Sequence, residues 1–588
     1  MRRSTRFWAA LLGGFGLAGC SDGCLGLDDY QLVPPGDYGG GGAGASGGHG
    51  GQGPSCTEAA GVFVVTHPSD SGGTEGPCGA AAPENGGARI YALDPADGRC
   101  LASARIDADP AGSFVIAPRV EHRLTDTTYV AGQWSGAGLT FPQRCDGATT
   151  ETLPTLADGS GMFVARLDRV ASTFCTAWTR TATTSASSFR PTTVVTDDTG
   201  NVFLGGALEP GEHLFEGQAS PVQGATFTAV YRSDGGLLDL RAFDGAPGDD
   251  VKGAARTSVG WLVGGTSKVE DPPCLGCSGS NNVIDAASSC DPGTGGMGGA
   301  GGMGGAAGGM GGAGGAGGMG GTGGMGGTID ATNAFLWQQQ SAEPAACVGW
   351  TSWGSDRSLV DAQGVFGVGV RQGALCETYV AGLAGRDAWR VDATNVASTL
   401  FDTGGSSVDG FLLKLFGDEC GGAGEPAWSL RMEGSGTVWA NRVAAERCSS
   451  GAIASVYGPG IGAVKVHRCD SSGGCSSTSL DGASTPFQML VLGMGSDGVT
   501  AWHGVFAPVD VTAGTLDAAP MGVARDDLAL DPRDHAALLV RPVSALSVTH
   551  VDTSACPDLD GVAEPVLVGL DPTASGEAQC TWATPLGN

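Results

Sequence analysis

The sequence predicts an all-β protein built from one repeated arrangement of short strands. The first observation is residues 161–206, which contain the pattern GMFVARLD and, further on, TTVVTDDTGNVFLGG. In GMFVARLD, Phe163, Ala165 and Leu167 alternate with the residues between them, so that inward-pointing and outward-pointing side chains follow the period of two of a β-strand. The second observation is that this arrangement recurs along the chain. The third is that no long amphipathic helical pattern occurs.

Residues 192–196 and 202–206 are two short β-branched or aromatic runs that predict a hairpin. The sequence DDTGN at 197–201 joins them, and Asp, Gly and Asn favour the conformations of tight turns. Acidic turns such as 197–201 and GDD at 248–250 could also offer carboxylates to calcium, but neither has the spaced ligand series of a calcium loop. We therefore predict a turn role, with no metal and no other cofactor.

The unit recurs with starts roughly 55 to 75 residues apart, except where an insertion lengthens one gap. Periods of this size made of short strands and glycine turns indicate propeller blades, so we expect six or seven four-stranded blades. A string of β-sandwich domains is the competing architecture. The phrase TYVAG occurs identically at 128–132 and 378–382, which favours the propeller. The predicted unit starts are ARIYAL at 88, GMFVARLD at 161, TFTAVY at 226, NAFLWQQQ at 333, DGFLLKLF at 409, GAVKVHRC at 462 and AALLV at 536.

The run FTAVYRSDGGLLDLRAFDGAPGDDVKGAA with the following GWLVGGTS resembles the bacterial β-propeller repeat found in secreted proteins and lipoproteins. GMFVARLD resembles the first strand phrase of that repeat, and TDDTGNVFLGG resembles its last one. The resemblance extends over most of residues 85–570. It implies a seven-bladed propeller, and it carries no catalytic signature.

Residues 1–20 are predicted to be a lipoprotein signal peptide. Three arginines within the first six residues precede the apolar run 7–18, which is too short for a permanent membrane span. The run ends in LAGC, which resembles the lipobox of bacterial lipoproteins and implies lipid on Cys20 and attachment to the membrane. An ordinary secretory signal is the alternative. Ser21, in place of an aspartate, favours the outer membrane.

The chain after the signal divides by composition. Residues 21–55 are rich in glycine and predict a flexible tether. Residues 56–588 form the predicted propeller head, with a disordered Gly/Met-rich insertion at about 291–328. A lone strand at 62–66 is predicted to close the ring beside residues 566–570.

The 18 cysteines suit an exported, oxidising location. With Cys20 lipidated the remaining number is odd, and we expect Cys24 to be the unpaired one. Cys274, Cys277 and Cys290 lack a fourth metal ligand and predict a disulfide cluster rather than a zinc site. Sequence does not determine connectivity, and the local pairs that we predict are Cys56–Cys78, Cys347–Cys376, Cys420–Cys448, Cys469–Cys475 and Cys556–Cys580.

The formal charge of −30 argues against nucleic acid as a partner, because a phosphate backbone requires a basic surface. The simplest explanation of the negative charge is that it keeps the protein soluble outside the cell.

The sequence contains no HExxH zinc motif, Walker-A loop or dinucleotide fingerprint. A nucleophile-elbow pattern, GASGG at 44–48, lies in the predicted tether without a strand before it or a helix after it, and we attribute it to composition. The eight histidines, at 49, 67, 122, 213, 467, 503, 535 and 550, are scattered. We expect a non-catalytic binding or scaffold module for protein or glycan. The alternatives are an exported hydrolase or lyase with its site at the propeller channel, and a passive component of the envelope. A funnel lined by His, Asp and Arg would favour the enzyme. An exposed aromatic patch would favour binding, and its candidates are Trp350, Trp353, Trp439 and Trp502.

Overall fold

The computed structural model describes residues 31–33 and, with short gaps between strands, residues 63–267, 333–509 and 527–586. In this part of the chain the regular structure is β-strand, apart from one 3-10 turn at Pro77–Gly79. The predicted all-β class is therefore confirmed. No helix long and apolar enough to cross a membrane is found within these residues.

The described residues form 37 strands. Strands β1 to β15 span, in order, Gln31–Val33, Phe63–Ser69, Gly87–Leu93, Cys100–Ala108, Arg119–Leu124, Thr127–Ser135, Leu139–Gln143, Thr150–Leu153, Ser160–Val170, Thr173–Thr184, Phe189–Thr196, Val202–Leu208, His213–Phe215, Thr226–Tyr231 and Leu237–Phe243. Strands β16 to β27 span Asp250–Arg256, Gly260–Ser267, Asn333–Gln340, Cys347–Gly354, Gly364–Arg371, Cys376–Ala384, Ala388–Asp392, Ala397–Phe401, Asp409–Gly417, Glu425–Glu433, Trp439–Ala445 and Ala452–Pro459. Strands β28 to β37 span Ala463–Asp470, Cys475–Asp481, Phe487–Met494, Thr500–Val509, Leu528–Leu530, Ala536–Val540, Pro542–Thr549, Val551–Asp552, Val566–Pro572 and Ala578–Pro585.

These strands form six sheets, which contain seven antiparallel meanders of four strands each. The 11-stranded sheet holds two of the meanders, joined by the single residue pair Thr173↔Ser103. We number the meanders 1 to 7: β1-β2-β3-β4, β5-β6-β9-β10, β11-β12-β14-β15, β16-β17-β18-β19, β20-β21-β24-β25, β26-β27-β30-β31 and β32-β33-β36-β37. The remaining described strands are additions to these sheets.

The first strands of successive meanders contact one another in a cycle. Strand β5 contacts β11, β11 contacts β16, β16 contacts β20, β20 contacts β26, and β26 contacts β32. Strand β1 contacts both β32 and β5, so the series returns to its start. Each meander therefore has its predecessor and its successor in the chain as neighbours, and the last meander lies against the first.

The hydrophobic cores lie between consecutive meanders. In β9, Phe163 and Ala165 are buried with residues of meander 1, whereas Met162 and Val164 are buried with residues of meander 3. The expectation of one outward-facing side was wrong for this half of the strand, because both faces of the sheet are covered by neighbours. The same pattern closes the cycle, since Phe63 of meander 1 shares a core with Trp582 of meander 7.

The boundaries of the predicted repeat units do not coincide with the boundaries of the meanders. The first five unit starts fall on β3, β9, β14, β18 and β24, which are the third strands of meanders 1 to 5. The two copies of TYVAG lie in β6 and β21, which are both second strands. The starts at 462 and 536 were wrong, because β28 is an addition to the meander 5 sheet and β33 is a second strand. An alternating apolar run marks a buried strand but not its position within a meander.

Two predictions about the N-terminal part of the head are corrected. Gln31–Val33 pairs with β2 as a strand, so the predicted flexible tether does not include these residues. The strand predicted at 62–66 pairs with β1 and β3, not beside residues 566–570. Strand β36 already has β33 and β37 as its two neighbours and offers no free edge.

Candidate functional site

The cysteines provide the most direct comparison with the sequence predictions. Cys469–Cys475 and Cys556–Cys580 lie at disulfide distance, as predicted. Cys78 is bonded to Cys100, with a Cα–Cα distance of 5.5 Å, so the predicted Cys56–Cys78 pair is wrong. The turn at Pro77–Gly79 holds Cys78 against the start of β4, which a count of residues between cysteines does not reveal.

The remaining cysteine predictions have mixed outcomes. Cys376 is disulfide-bonded, and its pairing with Cys347 stays a prediction because the Cys347 side chain lies outside the described part of the structure. The sequence missed Cys145–Cys175, which links the turn after β7 to β10. The other predicted cysteines lie outside the described residues: Cys20, Cys24, Cys56, Cys274, Cys277, Cys290, Cys420 and Cys448.

The predicted aromatic patch receives no support from its two described members. Trp502 is buried against Gly493, and Trp439 is partly buried and stacked on Tyr457 at 6.0 Å. The side chains of Trp350 and Trp353 lie outside the described residues. Tryptophan in the described regions fills the cores between meanders.

Three tryptophans also bind one meander to the next through their indole N–H. Trp178 Nε1 of meander 2 donates to the Ser233 carbonyl of meander 3 at 2.9 Å, and Arg166 Nη1 donates to the same oxygen at 3.1 Å. Trp428 Nε1 and Lys414 Nζ of meander 5 converge in the same way on the Ser496 carbonyl of meander 6, at 3.0 and 3.1 Å.

The third of these contacts closes the cycle. Trp582 Nε1 of meander 7 donates to the Pro95 carbonyl of meander 1 at 2.8 Å, and Thr584 Oγ1 donates to the Gly98 carbonyl at 2.9 Å. Buried indole N–H groups need such acceptors, so these contacts combine apolar burial with a satisfied hydrogen bond. They are structural contacts rather than a binding site.

The charged groups of the first strands β11 and β16 are paired with one another. The carboxylate of Asp250, which is 0 % exposed, accepts hydrogen bonds from Lys252 Nζ at 2.8 Å and from Arg190 Nη2 at 3.1 Å. Thr192 Oγ1 donates to the other carboxylate oxygen at 3.3 Å. Asp250, assigned to a turn from sequence, is therefore a strand residue whose charge is compensated by two cations.

The DDTGN hairpin is a turn, as predicted. Asp197 Oδ1 accepts hydrogen bonds from the backbone N–H groups of Thr199 and Asn201, at 2.9 and 2.8 Å. Its Oδ2 accepts from Asn201 Nδ2 at 2.9 Å. The carboxylate thus stabilises the turn that joins β11 to β12.

Two carboxyl groups with raised pKa values lie between meanders 6 and 7. Asp527 is buried and accepts hydrogen bonds from Ser455 Oγ at 2.8 Å and from Tyr457 OH. Desolvation raises the pKa of Asp527 above its ordinary value. Desolvation, together with the nearby charge of Asp534, raises the pKa of Glu446 to about 7.

A serine, a histidine and a glutamate form a connected row on the sheet of meander 5. Ser477 Oγ lies 2.8 Å from His467 Nδ1, and His467 Nε2 lies 3.0 Å from Glu433 Oε2. Arg431 Nη2 donates to the same glutamate oxygen at 3.0 Å. The hydrogen bond from His467, together with Arg431, holds the pKa of Glu433 below its ordinary value.

This row was not predicted from the sequence, although the predicted disulfide Cys469–Cys475 implies one of its pairs. In an antiparallel hairpin the numbers of paired residues have a constant sum, so pairing Cys469 with Cys475 also places His467 opposite Ser477. Glu433 could not be found in this way, because it comes from β25, which pairs with β28 only in the folded sheet.

No protein-family model matches the chain, and no curated protein matches it. Within the described residues, no group of three or more His, Cys, Asp or Glu side chains is arranged to hold a metal ion.

Proposed function

We propose that the chain is a lipid-anchored β-propeller lipoprotein of the cell envelope, whose seven meanders are the blades and whose role is to bind or scaffold a protein or a glycan. The cyclic series of contacts among the first strands supports the propeller most strongly. Six buried clusters between consecutive meanders, including the one between the last and the first, fit the same arrangement.

The charges near the centre of the proposed ring bear on the alternative of an enzyme. Asp250 is neutralised by Lys252 and Arg190, which is a stable arrangement rather than a reactive one. This arrangement gives no support to the alternative of an enzyme with its site at the channel. The acidic charge of −30 again argues against nucleic acid as the partner.

The position of β1 shortens the segment that would link the lipid on Cys20 to the head. If lipid is attached at Cys20, only residues 21–30 separate it from β1, because Gln31 already pairs with Thr66 in β2. Ten extended residues reach at most about 35 Å. The head is then held close to the outer membrane.

Three experiments test this proposal. Cys20→Ser should move the protein from the membrane fraction to the soluble fraction, and unchanged fractionation would contradict the anchor. Deleting residues 21–33 should lower the melting temperature of the head, whereas deleting residues 38–53 should leave it nearly unchanged. Equal effects of the two deletions would contradict the role of β1. Screening the purified head against glycan arrays and envelope proteins tests the binding role.

A further inference from the structure

We propose that Ser477 is a nucleophile that attacks carboxylic esters, with His467 as its general base and Glu433 as the group that orients and stabilises the histidine. This activity goes beyond the proposed binding role. The proposed base and nucleophile lie on the hairpin β28–β29, and the activity does not depend on lipid attachment.

The three side chains have the mutual geometry that activation of a serine requires. Ser477 Oγ lies 2.8 Å from His467 Nδ1, and His467 Nε2 lies 3.0 Å from Glu433 Oε2. In the tautomer with its proton on Nε2, the serine hydroxyl donates to Nδ1 and Nε2–H donates to the glutamate. Both distances lie in the range of a nucleophile–base–carboxylate series. The imidazole is reversed relative to the chymotrypsin arrangement, since Nδ1 faces the serine. The proton logic is unchanged, because either ring nitrogen can accept the proton while the other donates to the carboxylate.

The fold holds these residues on neighbouring strands. Arg431 is paired with His467, and His467 is paired with Ser477, across β25, β28 and β29. In β28, Val464 and Val466 point into the core shared with meander 6, so His467, one residue further on, points to the opposite face. The disulfide between Cys469 and Cys475 closes the hairpin two residues from the His467–Ser477 pair and keeps the register.

The three side chains differ in how accessible they are to solvent and substrate. Ser477 is exposed, while the side chains of His467 and Glu433 are 22 % and 42 % exposed. A substrate can therefore reach the hydroxyl directly, and the base behind it is partly shielded from water.

The free edge of β29 offers a backbone donor for a developing oxyanion. Among the described strands, β29 pairs with β28 alone. Asp470 N donates to Gly474 O at 3.0 Å, so this pair is a hydrogen-bonded one. Hydrogen-bonded and non-hydrogen-bonded pairs alternate in antiparallel ladders, which makes His467–Ser477 a non-hydrogen-bonded pair. The N–H of Ser477 then points away from β28, towards the open edge, where it can stabilise negative charge.

The proposed reaction is a two-step acyl transfer with water as the second reactant. Ser477 Oγ forms a bond to the ester carbonyl carbon while its proton passes to His467 Nδ1. The tetrahedral intermediate collapses, the bond to the alcohol oxygen breaks, and the leaving alkoxide takes the proton from His467. Water then attacks the acyl-serine and gives up a proton to His467 Nδ1. The bond between the acyl carbon and Ser477 Oγ breaks, His467 returns the proton to Ser477 Oγ, and the carboxylic acid is released.

A fluorophosphonate probe tests the proposal on the full-length protein in detergent, because it reacts with activated serines with loss of fluoride. Peptide mapping by mass spectrometry should place the label on Ser477, and Ser477→Ala should abolish it. Ser479→Ala is the matched control, since Ser479 is exposed on the same strand, two residues away, and should leave labelling unchanged. His467→Gln should slow labelling by a factor of about 100 or more.

Several results would overturn the inference. Labelling of Ser477 no faster than labelling of Ser479, or labelling of Ser477 that persists unchanged in His467→Gln, would show that the row is only a network of cross-strand hydrogen bonds. Circular dichroism and melting temperature confirm that each variant is folded. Membrane attachment does not affect the readout, so a failure here is distinguishable from a failure of the proposed anchor.

Discussion

The contact between meanders 2 and 3 and the contact between meanders 6 and 7 join neighbouring sheets by different chemistry. In the first, Trp178 and Arg166 both donate to the Ser233 carbonyl. In the second, the buried carboxyl group of Asp527 accepts from the hydroxyl groups of Ser455 and Tyr457. An indole N–H and a guanidinium keep their protonation across the physiological range, whereas a carboxyl group does not. The two contacts should therefore respond differently to pH.

The contact that closes the cycle belongs to the first kind. Trp582 donates to Pro95 across almost the whole length of the chain, yet it uses the same donor and the same kind of turn acceptor as Trp178. Ring closure therefore requires no contact of a different kind from those between the other meanders. It requires a tryptophan in the fourth strand of one meander and a tight turn in the next.

The largest expected effect is that of removing these tryptophans. Trp582→Ala and Trp178→Ala should each lower the free energy of unfolding by about 3–5 kcal/mol, because a large buried side chain and a hydrogen bond between meanders are lost together. Denaturant unfolding followed by circular dichroism measures the loss. Trp439→Ala is the control, since that side chain is only partly buried. If Trp582→Ala cost no more than the control, the closing contact would not be equivalent to the internal one.

A smaller effect is expected from adding a side-chain methyl group to a turn glycine that lies against an indole ring. Gly498 has φ +78, and a Cβ there would lie 2.6 Å from Trp428 Cδ2. Gly147 has φ +79 with nothing within 4 Å of the same position, so it is matched in backbone conformation. Both alanine variants carry the cost of a left-handed residue, and Gly498→Ala should cost about 1–3 kcal/mol more because of the collision. Equal melting temperatures for the two variants would show that the turn does not support the tryptophan.

The smallest expected effect is the pH response of Glu446, which follows β26 in meander 6 and lies near the charge of Asp534 in meander 7. The pKa of Glu446 is raised from its ordinary 4.5 to about 7 in the folded protein. Between these values the unfolded chain releases the proton while the folded protein keeps it, so stability falls as pH rises from 4.5 to about 7 and then levels off. The loss should be on the order of 1 kcal/mol, because the side chain retains contact with water.

Melting temperatures measured at several pH values test this effect. Glu446→Gln cannot titrate and should show a flatter profile than the unaltered protein over this range. Trp178→Ala should retain the full pH response, since its contact contains no titrating carboxyl group. A profile unchanged by Glu446→Gln would mean that another group dominates the response.

Much of the local structure could be predicted from the sequence. The hairpin of β11 and β12 follows from two β-branched runs around DDTGN. The disulfides Cys469–Cys475 and Cys556–Cys580 follow from short separations in sequence, of 6 and 24 residues. Cys78–Cys100 was missed because the competing partner, Cys56, is equally close in sequence at 22 residues. Local patterns predict local pairs well, but they do not choose between partners at similar separation.

The candidate site shows the same limit. The pairing of His467 with Ser477 follows from the register of one hairpin, and that register was implied by a predicted disulfide. Glu433 and Arg431 come from β25, and the chain between β25 and β28 forms two strands of another sheet. Long-range pairing of this kind leaves no local signal in a single sequence.

By itself the sequence determined the all-β class, the repeated strand phrases, the turns and two of the disulfide pairs, because these depend on residue type and on residues that lie close together along the chain. Only the tertiary structure decided which strand belongs to which meander, that Gln31–Val33 joins the first of them, and that Trp582 lies against Pro95. These features depend on which apolar faces cover one another. In a chain where both faces of a strand such as β9 are buried, the alternation of side chains no longer identifies the neighbour.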